Sequence, residues 1–433
     1  MNKTLLSTLL ASTLGLLSWQ TFAADDLQDI YQLATQKDPI VLRSAASRDR
    51  AAASIDVSRA ALLPNVTGSA GYGRRDVDGF GFDGPNTLSA GVTLNQSLFN
   101  WADWGRLDRA EKVALQFQTA YDSEVQNLIV RATSAYFQVL GAADDLGFAE
   151  AEKRSIERQL EQTKQRFAVG LTAITDVHEA QAQFDSAVAR EIIAQYELEN
   201  AREFLREITG QYHQELAELN TDKFAPGRPS PEKVQDWVGL AQDNNLVLKS
   251  QRVLLDIANQ DIDLAKAGHY PTLNLQATLG VAKASGFDRA DDSSLGINLA
   301  VPIYSGGGVE AGVAVAQSNY VEVSQTLELN HRAVMRQVRS SFNGVNAQIS
   351  SIRALEQAVV SAESALNATE AGFEVGTRTI VDVLLSTRNL FEAKRNLASA
   401  RYTYILSMMQ LKQAAGNLSE QDLLAVNQAL TNQ

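Results

Sequence analysis

Apolar residues recur along this chain with two distinct periods. Val338, Val345, Ile352, Val359, Leu366 and Phe373 fall at every seventh position. Such a repeat is the seam of a supercoiled helix, because it keeps one stripe facing a partner. Small and polar residues flank the seam (Ser340, Ser341, Asn346, Ser350, Ser351), so the second face is expected to meet water. An ordinary dimeric coiled coil would carry Leu or Ile at both core positions and more flanking charge. Ala, Gln, Glu, Leu, Arg and Ser dominate from Trp104 to Thr209 and again from Val309 to Ala415. All eight prolines (Pro39, Pro64, Pro85, Pro226, Pro229, Pro231, Pro271 and Pro302) avoid these two stretches. Proline inside a helix costs roughly 3 kcal/mol, so both stretches are free to be very long helices. A helix from Trp104 to about Gln165 would extend roughly 90 Å, several times the width of a compact domain.

The second period is two. Val66, Gly68, Ala70 and Tyr72 alternate with Thr67, Ser69 and Gly71, and Leu88, Ala90, Val92 and Leu94 with Ser89, Gly91, Thr93 and Asn95. Leu273 through Val281 and Leu295 through Ile303 alternate in the same way. Each run is about the length a tilted membrane strand needs, apolar on one face and neutral-polar on the other. A soluble sandwich would alternate too. Here the strand faces read as uncharged, while the loops between them carry charge, from Arg74, Arg75 and Asp76 to Asp83 and from Asp288 to Asp292. That contrast favours an outer-membrane barrel. Four strands cannot close one, since the smallest closed barrels have about eight. An open sheet in lipid would leave backbone edges unsatisfied, so the barrel must be shared between chains. At four strands per chain, two, three or four copies would all serve.

The chain also repeats itself. The segment Arg166–Val177 matches Gly372–Val383, Ile208–Gly210 matches Ala414–Gly416, and Gly91, Val92 and Leu94 match Gly296, Ile297 and Leu299, all at nearly one offset. Steady offsets mean duplication. Each half reads helix, two strands, long helix, reversal at a Val-Gly motif, second helix. The expected division is a first repeat over 24–225, a proline-rich linker over 226–231 and a second repeat over 232–433. Residues 1–23, with Lys3, an apolar run from Leu5 to Leu17 and a small-residue site ending at Ala23, read as a secretory signal peptide.

Composition narrows the chemistry. The formal charge is −13, one unit more negative once Lys3 is removed, and no basic stripe suits a polyanion such as nucleic acid. Zero cysteines exclude disulfides, thiol catalysis and zinc-thiolate sites. The histidines, His178, His213, His269 and His331, have no partner at ligating spacing, so no metal or other cofactor is expected. The run Ser305-Gly306-Gly307-Gly308 could cradle a phosphate, but after a strand and before a helix it reads as a bend. No enzyme active site is visible.

With these features in place, the chain resembles the outer-membrane factor family, the TolC-like exit ducts of tripartite drug-efflux pumps and type I secretion systems. The resemblance rests on Leu62-Leu63-Pro64, Val301 through Gly307, Arg166 through Gly170, Ile174 through Val177, Val375 through Leu384, and Gln421 through Ala425. It implies an α+β membrane protein: a homotrimer with a twelve-stranded transmembrane β-barrel, four strands per chain, continued across the periplasm by a long α-helical barrel. It also implies an equatorial belt built by the segment around Asn220–Pro231 and the C-terminal residues. The implied partners are a periplasmic adaptor and an inner-membrane transporter of the RND, ABC or MFS class. By the same resemblance, Asp382 lines the closed aperture, and Leu385 makes apolar a second ring that is acidic in relatives. Thr175, Asp176 and Arg378 would lock the gate, with Phe373 where relatives carry a tyrosine. The reversal tips, Val169-Gly170-Leu171 and Val375-Gly376-Thr377, are expected to dock the adaptor. A general diffusion porin and a trimeric surface stalk are the rival readings. A porin closes its barrel within one chain, and a stalk needs no paired hairpins.

Overall fold

A computed structural model describes residues 24–74 and 86–430. The expected leader, 1–23, and most of the first charged loop, 75–85, lie outside the described residues. Asp26 caps α1 (Leu27–Lys37) in a capping box with Asp29. The Asp38 carboxylate accepts from the Val41 amide and starts α2 (Pro39–Ala60), whose first position suits a proline because no N–H is needed there. β1 (Asn65–Gly73) and β2 (Thr87–Phe99) follow. Asn100 then caps α3 (Trp101–Ala168), which reverses into α4 (Ile174–Thr209). The second half runs α5 (Val234–Asn244), α6 (Leu246–Lys266), β3 (Thr272–Ala284), β4 (Ala290–Ala300), α7 (Gly308–Glu374) and α8 (Ile380–Ala415). Short α9 (Glu420–Asn427) comes last. With 68 and 67 residues, α3 and α7 each extend about 100 Å at about 1.5 Å per residue. The Ser305–Gly308 run does make the bend between β4 and α7, with Gly306 and Gly307 at φ 65° and 77°.

The sevenfold seam of α7 faces inward. Val338, Val345, Ile352 and Leu366 are buried, and Val359 and Phe373 are half-buried at the lower end. One flanking residue departs from the wet-face expectation: Ser341 is buried, and its hydroxyl accepts from the Gln337 amide at 3.2 Å. A polar residue can sit inside when a neighbour one turn away satisfies it.

The strands form one antiparallel sheet in the order β1-β2-β3-β4. Here the sequence reading needs two corrections. β4 begins at Ala290, so Asp291 and Asp292 lie within the strand, opposite Val281 and Gly280, and Lys283 lies within β3. The strand faces are therefore charged at that end. At the other end Val301 and Ile303 fall beyond Ala300, where β4 stops. Backbone pairing extends past the apolar run on one side and ends before it on the other, because the ladder is set by the partner strand.

The main core lies where the paired short helices meet the long ones. Leu27, Ile30, Leu128, Tyr136, Phe137, Leu205, Trp237 and Met409 are buried there. Around it the termini of the repeats are stitched together. Asp25 bridges Leu216 and Leu219 bridges Leu430. The Tyr136 hydroxyl donates to the Ala217 carbonyl at 2.7 Å, and Tyr404 both accepts from the Gly227 amide and donates to its carbonyl. A second, smaller core of Ile156, Leu160, Ala187, Leu366, Val383 and Leu390 joins α3, α4, α7 and α8 nearer the reversals.

One buried charge anchors the first half. Arg131 of α3 donates to both Asp38 oxygens, at 2.9 and 3.0 Å, tying the α1–α2 junction to the long helix. Burial pushes the Asp38 carboxyl up, but hydrogen bonds from Arg131 and the Val41 amide outweigh it and hold it below the ordinary 3.8. A depressed carboxyl contributes stability above its unfolded value, and that contribution is lost as pH falls through the lower folded value. Asp38→Asn keeps a capping side chain and removes the charge. It should lower stability to guanidinium, followed by helical circular dichroism near neutral pH, by about 1–3 kcal/mol. The gap to wild type should close on acidification below 3.8. Arg131→Met should cost more, about 3–5 kcal/mol, by stranding a buried carboxylate. A gap for Asp38→Asn that persists unchanged in acid would exclude the carboxylate as its source.

Candidate functional site

The two reversals, between α3 and α4 and between α7 and α8, have the same geometry. Gly170 and Gly376 sit at φ 77° and 79°, and a side chain added at either would meet open space. Conformation, not crowding, therefore calls for glycine at both. The Leu171 amide bonds the Arg166 carbonyl at 2.8 Å, and the Thr377 amide bonds the Gly372 carbonyl at 2.8 Å, which closes each helix end in the same way. Val169 and Leu171 are each 70% exposed and Val375 is 75% exposed. Both tips thus hold apolar side chains out beside a bare glycine.

Their chemistry differs. Thr379 caps α8 in a capping box: its hydroxyl accepts from the Asp382 amide, and its own amide donates to the Asp382 carboxylate at 2.9 Å. That backbone bond first, and the Thr379 hydroxyl second, lower the Asp382 carboxyl below 3.8. Leu385 follows one turn later and is exposed, while Val383 and Leu384 between them are buried. Asp382 and Leu385 therefore share the side of α8 that faces away from the smaller core. On the first reversal Ala173 gives α4 no side-chain cap, and the Thr172 hydroxyl donates to the Asp176 carboxylate instead. Thr175 is exposed. Arg378 lays its stem over Gly372, where any side chain would collide with it. Among the described residues, no ion pair within the chain joins Arg378 to Asp176.

One contact between the reversals was missed in the sequence. The Arg166 guanidinium lies 4.6 Å over the Phe373 ring and so ties the end of α3 to the end of α7. The available signal was a break in the repeat, since Arg166 matches Gly372 and the phenylalanine beside that glycine is left to receive the cation.

At the opposite end the sheet is bare. The apolar row of β4, Leu295, Ile297 and Leu299, is 76%, 66% and 61% exposed, and β1 and β4 are edges without a partner strand among the described residues. No helix among these residues is long and apolar enough to cross a membrane.

Comparison with known proteins agrees with this geometry. The family profile described as outer membrane efflux protein matches residues 30–211 and 237–417, one match in each half. The chain is 46% identical to outer membrane protein TolC of Vibrio cholerae, with 99% of both chains covered. It is 45% identical to outer membrane protein TolC of Escherichia coli, over 94% of this chain and 85% of that protein. The crystal structure of the CmeC outer membrane channel of Campylobacter jejuni superposes with a TM-score of 0.79 at 16% identity, over 96% of this chain and 95% of the other. The chain belongs to the outer membrane efflux protein family, and it is an outer-membrane protein.

The Arg166–Phe373 contact makes a local prediction. A cation over a ring at an exposed site contributes about 0.5–1 kcal/mol. Arg166→Met should therefore speed amide hydrogen exchange across Val169–Ala173 by about two- to fivefold, with α5 and α6 unaffected. Equal exchange in the two proteins would show that the ring does not hold the tip.

Proposed function

We propose that three copies of this chain form a passive exit duct of the outer membrane, energised by an inner-membrane transporter of the RND, ABC or MFS class through a periplasmic adaptor. The observation that carries this reading is the unfinished sheet. Four strands with an apolar exposed face and two open edges suit lipid only when further copies supply the missing pairs. Three copies give twelve strands. The long helices, hung from the ends of β2 and β4, then surround the same axis as a tunnel through which drugs or polypeptides leave. The segment around Asn220–Pro231 and the C-terminal residues form its equatorial belt. A porin has no use for two helices of this length, and a surface stalk would leave the outer-membrane relatives unexplained.

The aperture lies at the reversal end. Asp382 from each chain presents a carboxylate to the axis, and Leu385 places an apolar ring one turn further on. Arg378 meets Asp176 and Thr175 of a neighbouring chain and holds the resting duct nearly closed. Phe373, lacking a hydroxyl, contributes no hydrogen bond to that lock. Clustered carboxylates in a narrow passage favour cations, and an apolar ring disfavours water.

Planar-bilayer recordings test the aperture. Wild type should prefer cations, Asp382→Ala should largely lose that preference, and Leu385→Asp should strengthen block by a trivalent cation. Arg378→Ser should raise conductance. Since Asp382 titrates below 3.8, cation preference should persist through mild acid. Thr379→Val, which removes the hydroxyl bond, should shift its loss to higher pH. Equal trivalent block of wild type and Leu385→Asp would place position 385 outside the lumen.

The tips would dock the adaptor through Val169-Gly170-Leu171 and Val375-Gly376-Thr377, where a bare backbone permits close approach. Gly376→Leu, strained by about 1–2 kcal/mol at positive φ, should abolish drug efflux while assembled protein stays in the membrane. Efflux at the normal rate would move docking away from the tips.

A further inference from the structure

About sixteen residues before the end of α3, roughly 25 Å above the tip, a carboxylate is buried among charges from two other helices. Glu152 is 1% exposed. Its Oε1 accepts from Arg190 Nη2 of α4 at 2.8 Å, and its Oε2 accepts from Arg395 Nη1 of α8 at 3.2 Å. The first bond stays within the α3–α4 hairpin, and the second crosses to the α7–α8 hairpin. Two turns nearer the tip, the buried Gln159 amide donates to the Thr387 hydroxyl of α8 at 3.0 Å, while Gln159 Oε1 has no hydrogen-bond partner. Polar bonds thus join α3 to α8 in addition to the smaller apolar core.

The two guanidinium groups are not equivalent to the carboxylate between them. The Arg395 side chain is 24% exposed, against 1% for Glu152. If α8 swings outward, Arg395 can take up water, while Glu152 keeps Arg190 and is never left as a lone buried charge. A buried ion pair is costly to break when a partner is orphaned. Here that cost is avoided on either side, since the Arg190 side chain is itself 35% exposed, and the bond to Arg395 is the one that crosses between hairpins. One further carboxylate is bonded across the gap: the Tyr402 hydroxyl of α8 donates to Asp144 of α3 at 2.6 Å. Lys153 pairs with Glu191 at 2.6 Å within the first hairpin. Asp145, one helical repeat up α3, has its carboxyl raised by burial, with Arg395 opposing that rise.

We propose that Glu152 is a positioning residue that clamps α8 to the α3–α4 hairpin, and that the duct widens only when the Glu152–Arg395 bond gives way. The proposal rests on the reading that α8 carries the aperture at Asp382.

The full-length channel in planar bilayers tests it. Arg395→Met severs the crossing bond, withdraws the charge that faces Asp145, and should raise conductance about threefold or more by shifting a closed–open equilibrium. Thr387→Val, a change of similar volume, should move it the same way by less. Lys153→Met, which breaks an ion pair inside one hairpin, should leave it unchanged. The chain has no cysteine, so Gln159→Cys with Thr387→Cys gives a single site for a short reducible bis-thiol cross-linker. Cross-linking in the Arg395→Met background should restore wild-type conductance, and reduction should release it. Equal effects of Arg395→Met and Lys153→Met, or a cross-link without effect, overturn the clamp. Asp382→Ala in the same bilayers separates the two ideas. A silent Arg395→Met beside lost cation preference in Asp382→Ala removes the clamp and leaves the aperture standing. Cation preference retained in Asp382→Ala removes the aperture, and with it the purpose of the clamp.

Discussion

A backbone amide in hydrocarbon has no water to bond, so a strand edge in a membrane must find another strand. Each chain here ends its sheet at β1 and β4 with such edges. Under the proposed reading this one constraint organises the molecule. It makes the single chain incomplete, demands copies related by a closed symmetry, and fixes where the helices go. α3 leaves β2 through the Asn100 cap, and α7 leaves β4 through the Gly306–Gly307 bend. Once the strands are arranged around an axis, the long helices have no choice but to surround it.

Helices that long cannot be held by one core. The structure distributes burial instead: a large cluster where the short helices pack, and a smaller one near the reversals. Between and beside them, buried charges fix alignment where apolar contact alone would allow sliding. Arg131 on Asp38 registers α3 against the α1–α2 junction, and Glu152 registers α3 against both α4 and α8. Apolar seams supply most of the attraction because they are continuous. The ion pairs choose one position along them, a role in which direction matters more than net energy.

Much of this was legible in the sequence, and what was not has a common cause. The heptads of α7, the gap in prolines and the alternating runs are local signals, and the helices and four strands follow them. The repeat was legible because both reversals need a glycine at positive φ. The strand ends were misread because pairing depends on the partner: Asp291 belongs to β4 only because Val281 stands opposite. The buried charges were invisible for the same reason. Asp38 lies 93 residues from Arg131, and Glu152 lies 243 from Arg395. In a charged, helix-rich sequence each looks like part of a solvated face. Of the candidate site, the tips and α8 positions could be located in advance, whereas the Arg166–Phe373 contact needed the two hairpins side by side.

Duplication gave two equal hairpins, yet only one carries the proposed aperture, and local chemistry accounts for the difference. Thr379 caps α8 and draws the Asp382 carboxylate onto its own backbone, which fixes that charge in place and holds it ionised. The matching position of the first reversal, Ala173, has no capping side chain, and Asp176 is turned back onto Thr172. A carboxylate fixed by its helix end can define a ring when copies assemble. One engaged with a flexible hydroxyl is better placed to receive a neighbour's arginine. On the proposed reading, the same fold, repeated within the chain, divides into a hairpin that lines the passage and a hairpin that holds it, and the capping residue, Thr379 against Ala173, is where their local chemistry parts.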